Sequence, residues 1–232
     1  MNRQELEVFD RLRFAISHEI RGAITIAKGY SEFARKGRYG PLDLKIAKAF
    51  ESIERMADRI TAVASNVTEF MRFHFQNASI IKKKVQNANF LESAILSVHL
   101  EAKKKEIAFE TFLNKDLSFW ADEKALQLVL VNILRNAVQF SPEGKTVMVR
   151  MESHNDELVI SAEDEGVGLS DLDMKKLWLQ PEDIQPQHGK KGACFGLRIA
   201  RILIEQHGGT IEAASAGKEK GTQFVIRLPR SL

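Results

Sequence analysis

The feature that most constrains this chain is a break. The run Gly37-Arg38-Tyr39-Gly40-Pro41 separates two long stretches of helical periodicity. Two glycines and a proline end a helix. Before the break, from Arg3 to Lys36, apolar groups fall at Leu12, Ile16, Ile20, Ile24, Ala27 and Ala34. After it, from Asp43 to Phe75, they fall at Leu44, Ala47, Phe50, Ile53, Met56, Ile60, Val63, Val67 and Phe70. Steps of three, four or seven predict two helices, the second with Asp43 as N-cap. A lone antiparallel hairpin cannot cover both of its apolar faces, and a second copy closes it as a four-helix bundle. Residues 1–75 are therefore expected to form a homodimer.

Past this hairpin the period changes. Residues 76–84 read as a linker and residues 85–232 as a second domain. Helices are expected over Asn89–Lys104, Asp122–Phe140 and Phe195–His207. Strands are expected over Ile107–Phe112, Leu117–Trp120, Thr146–Ser153, Glu157–Glu163, Thr210–Ser215 and Thr222–Leu228, with Asn155-Asp156 as a hairpin turn. The region Gly166–Cys194, rich in Gly, Pro, Gln and Lys, reads as a functional or mobile loop. The pattern describes an α/β sandwich with helices on one face of a mixed sheet.

Composition narrows the class. The 232 residues are 44% hydrophobic and 28% charged, enough for a core and a soluble surface. Formal charge is only +3, which makes no case for nucleic acid; Lys82–Lys84 and Lys103–Lys105 read as solvated surface. The single cysteine, Cys194, forms no intrachain disulfide and fits a reducing compartment. No apolar run approaches the roughly 18 residues of a spanning helix. A cytoplasmic chain without a membrane segment is expected.

Several groups can carry chemistry. His18 lies off the seam of Ile16, Ile20 and Ile24, so it should face solvent; a neutral imidazole is a competent nucleophile, and adjacent Glu19 can take the other ring proton. Asn132 and Asn136 share a helix face and can offer oxygens to Mg²⁺. Asp164-Glu-Gly166-Val-Gly168 follows an apolar strand; its carboxylate can accept from an exocyclic amine. Gly192-Ala-Cys-Phe-Gly196-Leu197 opens a helix whose free amides suit phosphate. Singly, these also fit a surface histidine, a polar helix face, an acidic turn and a Gly-rich cap. Their order along one chain is harder to obtain by chance.

That order resembles a sensor histidine kinase of the two-component type over nearly the whole length. Residues 1–75 resemble the dimerisation and histidine-phosphotransfer hairpin, and residues 80–232 the GHKL-type ATPase domain (Bergerat fold). Ser17-His18-Glu19-Ile20-Arg21 is similar to the H box, Asn132–Gly144 to the N box, Asp164–Gly168 to the G1 box and Gly192–Leu197 to the G2 box. The resemblance implies ATP and Mg²⁺ as cofactors and His18 as phosphoacceptor. Glu19 would be its base and Arg21 a polar helper. Asn136 would hold Mg²⁺, with Asn132 supporting metal and phosphate. Asp164 would read the adenine amine and Phe140 would pack near the ring. Gly166 and Gly168 would let the ring lie close to backbone, and Gly192, Gly196 and Leu197 would bind phosphate through main-chain amides. The implied partner is the receiver domain of a response regulator, whose aspartate takes the phosphoryl group.

Departures from the family pattern add narrower expectations. Gly22 stands where a polar residue commonly orients the phosphatase water, so phosphatase action should be weak. Gln139 replaces a lysine, for which Arg135, or Lys190 and Lys191, would compensate. Cys194 replaces a glycine. Taken further, these changes describe the alternative: a degenerate nucleotide-binding scaffold for a response regulator. An ATPase working without the hairpin would usually carry a glutamate at the place of Asn132.

Overall fold

The computed structural model describes residues 3–75, 80–114, 117–178 and 193–230. It divides into a unit of residues 1–79 and a unit of residues 80–232.

The first unit is a helical hairpin of α1 (Arg3–Arg35) and α2 (Leu44–Phe75). Asp43 caps α2: its Oδ1 accepts from the Lys45 amide at 2.7 Å. Small side chains line the contact between the helices, with Ser31, Ala34, Ala57 and Ala64 all buried. The Ser31 hydroxyl donates to the Phe50 carbonyl at 2.9 Å. Arg35 and Lys28 pair with Glu54 and Asp58 across the hairpin. Several large apolar side chains among the described residues face outward. Tyr30, Met56, Ile26 and Ile60 are about half to two-thirds exposed.

The second unit holds a five-stranded sheet in the order β2 (Ala108–Leu113), β4 (Thr146–His154), β5 (Glu157–Asp164), β7 (Thr222–Pro229), β6 (Thr210–Ala214). Only the β2–β4 pair is parallel. A small antiparallel ribbon joins β1 (Lys83–Gln86) to β3 (Ser118–Ala121). Alternation puts Val149, Ala162 and Phe224 in one buried cross-strand row and Met151, Ile160, Ile226 and Ile211 in the next. Against this face pack α3 (Asn87–Leu96), α5 (Glu123–Phe140) and α7 (Ala193–Gln206).

Three expectations need correction. Lys83 and Lys84 belong to β1, not to a linker. The single helix expected over Asn89–Lys104 is two, α3 and α4 (His99–Lys104). The chain turns at Val98, whose side chain is wholly buried, and this leaves Leu96 and Leu100 exposed. The long loop contains α6 (Asp171–Lys176), capped by Ser170, whose hydroxyl accepts from the Asp173 amide at 3.2 Å. Residues 179–192 lie outside the described residues.

Candidate functional site

The second unit gathers most of the candidate residues around one end of the sheet. Asp164 ends β5. Its register places it between Val147 and Thr222 in the inward-facing row, where an apolar residue would continue the core. It is 6% exposed. Burial pushes its carboxyl above the ordinary carboxylate range, while amide bonds oppose that shift. Both recorded bonds fall on one oxygen: Oδ1 accepts from the Gly166 amide at 2.8 Å and the Thr222 amide at 3.2 Å.

The glycines that follow are crowded by the protein's own backbone. A Cβ at Gly166 would lie 2.8 Å from the Phe140 carbonyl oxygen. At Gly168, with φ +64°, it would lie 2.0 Å from the Gly217 carbonyl oxygen. The close approach is by the protein's own backbone. Gly221 completes the arrangement: a Cβ there would lie 1.8 Å from the Asp164 carbonyl oxygen. The loop after β5 is thus clamped between the end of α5 and the β6–β7 turn. Val167 donates to the Phe140 carbonyl at 3.2 Å, Glu219 to Val167 at 2.7 Å and Gly221 to Gly166 at 3.1 Å. Ser215 pins the other side. Its hydroxyl accepts from the Leu169 amide at 3.0 Å and donates to the Gly221 carbonyl at 2.6 Å.

Helix α5 supplies the carboxamides. Its N-cap Asp122 accepts from the Ala125 amide at 3.1 Å. Asn132 is buried and Asn136 half-buried, one turn apart on the same helix. Phe140, at the last helical position, is 38% exposed. Arg135, on the same helix, faces Glu101 of α4 at 3.8 Å. At the start of α7, Gly196 and Leu197 occupy the fourth and fifth helical positions. In a regular helix the Leu197 amide already has an acceptor one turn back, and its side chain is buried. Gly192, Lys190 and Lys191 lie outside the described residues.

Sequence reasoning missed two further supports. His207 is buried; its Nε2 accepts from the Asp122 amide at 3.0 Å and its Nδ1 lies 2.7 Å from the Leu203 carbonyl. The ring is neutral with its proton on Nδ1, and burial lowers its pKa. It ties the end of α7 to the start of α5. Lys105 donates to three carbonyls at the other end of α5. No local sequence pattern announces either contact.

In the first unit, His18 sits on α1 with its side chain 74% exposed, and Glu19 is 85% exposed. His18 Nδ1 and Glu19 Oε1 lie 3.8 Å apart. Arg21 follows one turn on, also exposed. A Cβ at Gly22 would meet nothing within 4 Å.

Among the described residues no helix is long and apolar enough to cross a membrane, and no cluster of His, Cys, Asp and Glu could hold a metal ion. A single carboxamide oxygen such as that of Asn136 still fits Mg²⁺. That ion keeps waters and phosphate oxygens and takes only one or two protein ligands.

The site thus combines a sheet carrying three helices on one face with a buried carboxylate beside a glycine clamp. Residues 121–232 match the family described as histidine kinase-, DNA gyrase B-, and HSP90-like ATPase. The chain is 28% identical over 220 residues to the sensor histidine kinase WalK of Bacillus subtilis, covering 92% of this chain and 35% of WalK. The structure is similar to that of full-length ShkA in complex with AMPPNP (TM-score 0.63, 21% identity, 94% of this chain and 45% of that one). It is also similar to that of the histidine kinase ThkA in complex with response regulator protein TrrA (TM-score 0.63, 21% identity, 98% of this chain and 64% of that one). The chain is thus similar to sensor histidine kinases over nearly all of its length, and its second unit to the ATPase family just named. It spans about a quarter to a half of the length of the curated relatives it matches.

Proposed function

We propose that this chain is an ATP-dependent protein histidine kinase that phosphorylates its own His18 and passes the group to an aspartate of a response regulator receiver domain. The observation that carries the reading is Asp164: a buried carboxylate set in an apolar sheet row, with both amide donors on Oδ1. A charge so placed is costly without a ligand, and Oδ2 would accept the exocyclic amine of adenine. Phe140 would cover the ring. Asn136 would hold Mg²⁺, Asn132 would support the phosphates, and the start of α7 with Gly192 and Gly196 would bring the positive helix end to them. When bound, Mg²⁺ neutralises charge on the phosphate oxygens.

The acceptor chemistry belongs to His18. With Glu19 on the Nδ1 side, the Nε2 lone pair attacks the γ-phosphorus. The bond from that phosphorus to its bridging oxygen breaks and ADP leaves. The Nδ1 proton passes to the Glu19 carboxylate, and Arg21 assists. An aspartate oxygen of the receiver domain then attacks the same phosphorus, the N–P bond breaks as the Glu19 carboxyl returns its proton to Nδ1, and His18 is again the neutral ring. The response regulator bound to ThkA supports this choice of partner. The exposed Tyr30, Met56 and Ile60 support a homodimer through residues 1–75, closed as a four-helix bundle. Gly22 offers no side chain to orient a water, so phosphatase action on the partner is weak. A cytoplasmic placement is part of the same proposal.

The test is incubation with γ-labelled ATP and Mg²⁺. The chain should take up acid-labile, base-stable label and lose it to a receiver domain. Wild type that binds ATP but takes no label returns the scaffold reading.

A further inference from the structure

The C-terminal end of α5 is held more completely than a helix end usually is. The last carbonyls of a helix lack intrahelical donors. Here the Ala137 carbonyl accepts from the Ser141 amide at 3.0 Å and the Phe140 carbonyl from the Val167 amide at 3.2 Å. The Lys105 ammonium takes the others: Val138 at 2.9 Å, Gln139 at 2.8 Å and Ser141 at 2.6 Å. Lys105 is itself fixed, because its carbonyl accepts from the Gly144 amide at 2.9 Å.

A cation near a helix C-terminus is common. What distinguishes this one is what the same helix end touches. The carbonyls of Gln139 and Ser141, both held by Lys105, flank the Phe140 carbonyl that anchors Val167. Gly166 packs on that carbonyl with no room for a methyl group. A shift of the helix end therefore moves the loop rather than being absorbed by slack. The same loop supplies the Gly166 amide that orients Asp164.

We infer that Lys105 is a positioning residue of the nucleotide site, holding the end of α5 and through it the loop of Gly166 and Val167. The inference rests on the nucleotide reading above. It acts through backbone, not by touching the ligand. Burial lowers the Lys105 pKa, in keeping with an ammonium held among carbonyls rather than in water.

The test uses the full chain with Lys105→Met and Lys105→Arg. ADP affinity is measured in Mg²⁺, and amide exchange is followed at Val167 and at Ala125, the capped start of α5. In Lys105→Met the ADP dissociation constant should rise about tenfold and Val167 should exchange faster, with Ala125 unchanged. Lys105→Arg should restore both. Unchanged affinity and unchanged Val167 exchange in Lys105→Met would overturn the inference. So would equal acceleration at Ala125 and Val167 with no rescue by arginine, which describes general loosening. A wild-type chain that binds no ADP removes the nucleotide reading itself, a failure distinct from a Lys105→Met chain that binds as wild type does.

Discussion

The two units solve burial in opposite ways. The second puts its large side chains inside: Phe90, Phe119, Leu130, Met151 and Ile160 are almost wholly buried. The Phe90 and Phe119 rings meet edge to face at 5.7 Å. The first puts small side chains inside and leaves Tyr30, Met56 and Ile60 exposed. A helix pair joined through Ser31, Ala34, Ala57 and Ala64 brings backbones close but removes little apolar surface from water. The second unit carries its own core. The first asks for another surface, which is the physical case for the homodimer.

The largest effect should come from charging the uncovered face. On an isolated hairpin, a change at a position as exposed as Met56 shifts stability by about 0.5 kcal/mol or less. If a second copy covers it, Met56→Asp with Ile60→Asp buries unpaired charge. The dimer should then dissociate in sedimentation velocity while the second unit keeps its thermal transition.

Next comes the glycine clamp. Gly221→Ala sets a methyl group against the Asp164 carbonyl at a φ of +69°. It should cost about 3 kcal/mol or more, read as a lower denaturant midpoint of the second unit.

Asp164→Asn separates stability from binding. The folded carboxyl has a raised pKa, so the folded state favours the protonated form. That stabilising preference is present at low pH and is lost as pH rises through the raised value. At pH 7 the ionised group is a cost. The asparagine oxygen keeps both amide bonds, so Tm at pH 7 should hold or rise. ADP affinity should nonetheless fall about a hundredfold, near 2.7 kcal/mol.

The smallest effect contrasts with the clamp. Gly22 has open space around it on a helix, so Gly22→Ala should stabilise the first unit by about 1 kcal/mol, seen as increased helical signal on heating.

Much of this was legible in the sequence, and the lapses have physical causes. The bounds of α1 and α2 followed from long periodicity and a Gly-Pro break, which are local signals. The strand leading to Asp164 followed from alternation over Glu157–Glu163. The division of α3 from α4 did not, because burial of Val98 against the rest of the unit decides it. The glycines at 166 and 168 were found, but sequence shows only that backbone can come close there, not whose backbone does. Lys105 and His207 left no trace, since each acts across the fold on a helix end far along the chain. Ser170 with Asp171 and Asp173 is a local cap signal for α6, masked by the Gly, Pro, Gln and Lys of the region around it.

The central claim is that one unit binds the nucleotide while the other accepts the phosphoryl group. The most direct measurement pairs ATP affinity with label uptake in His18→Gln. Affinity equal to wild type with no acid-labile label is the predicted result. Label uptake by His18→Gln equal to that of wild type would contradict the account.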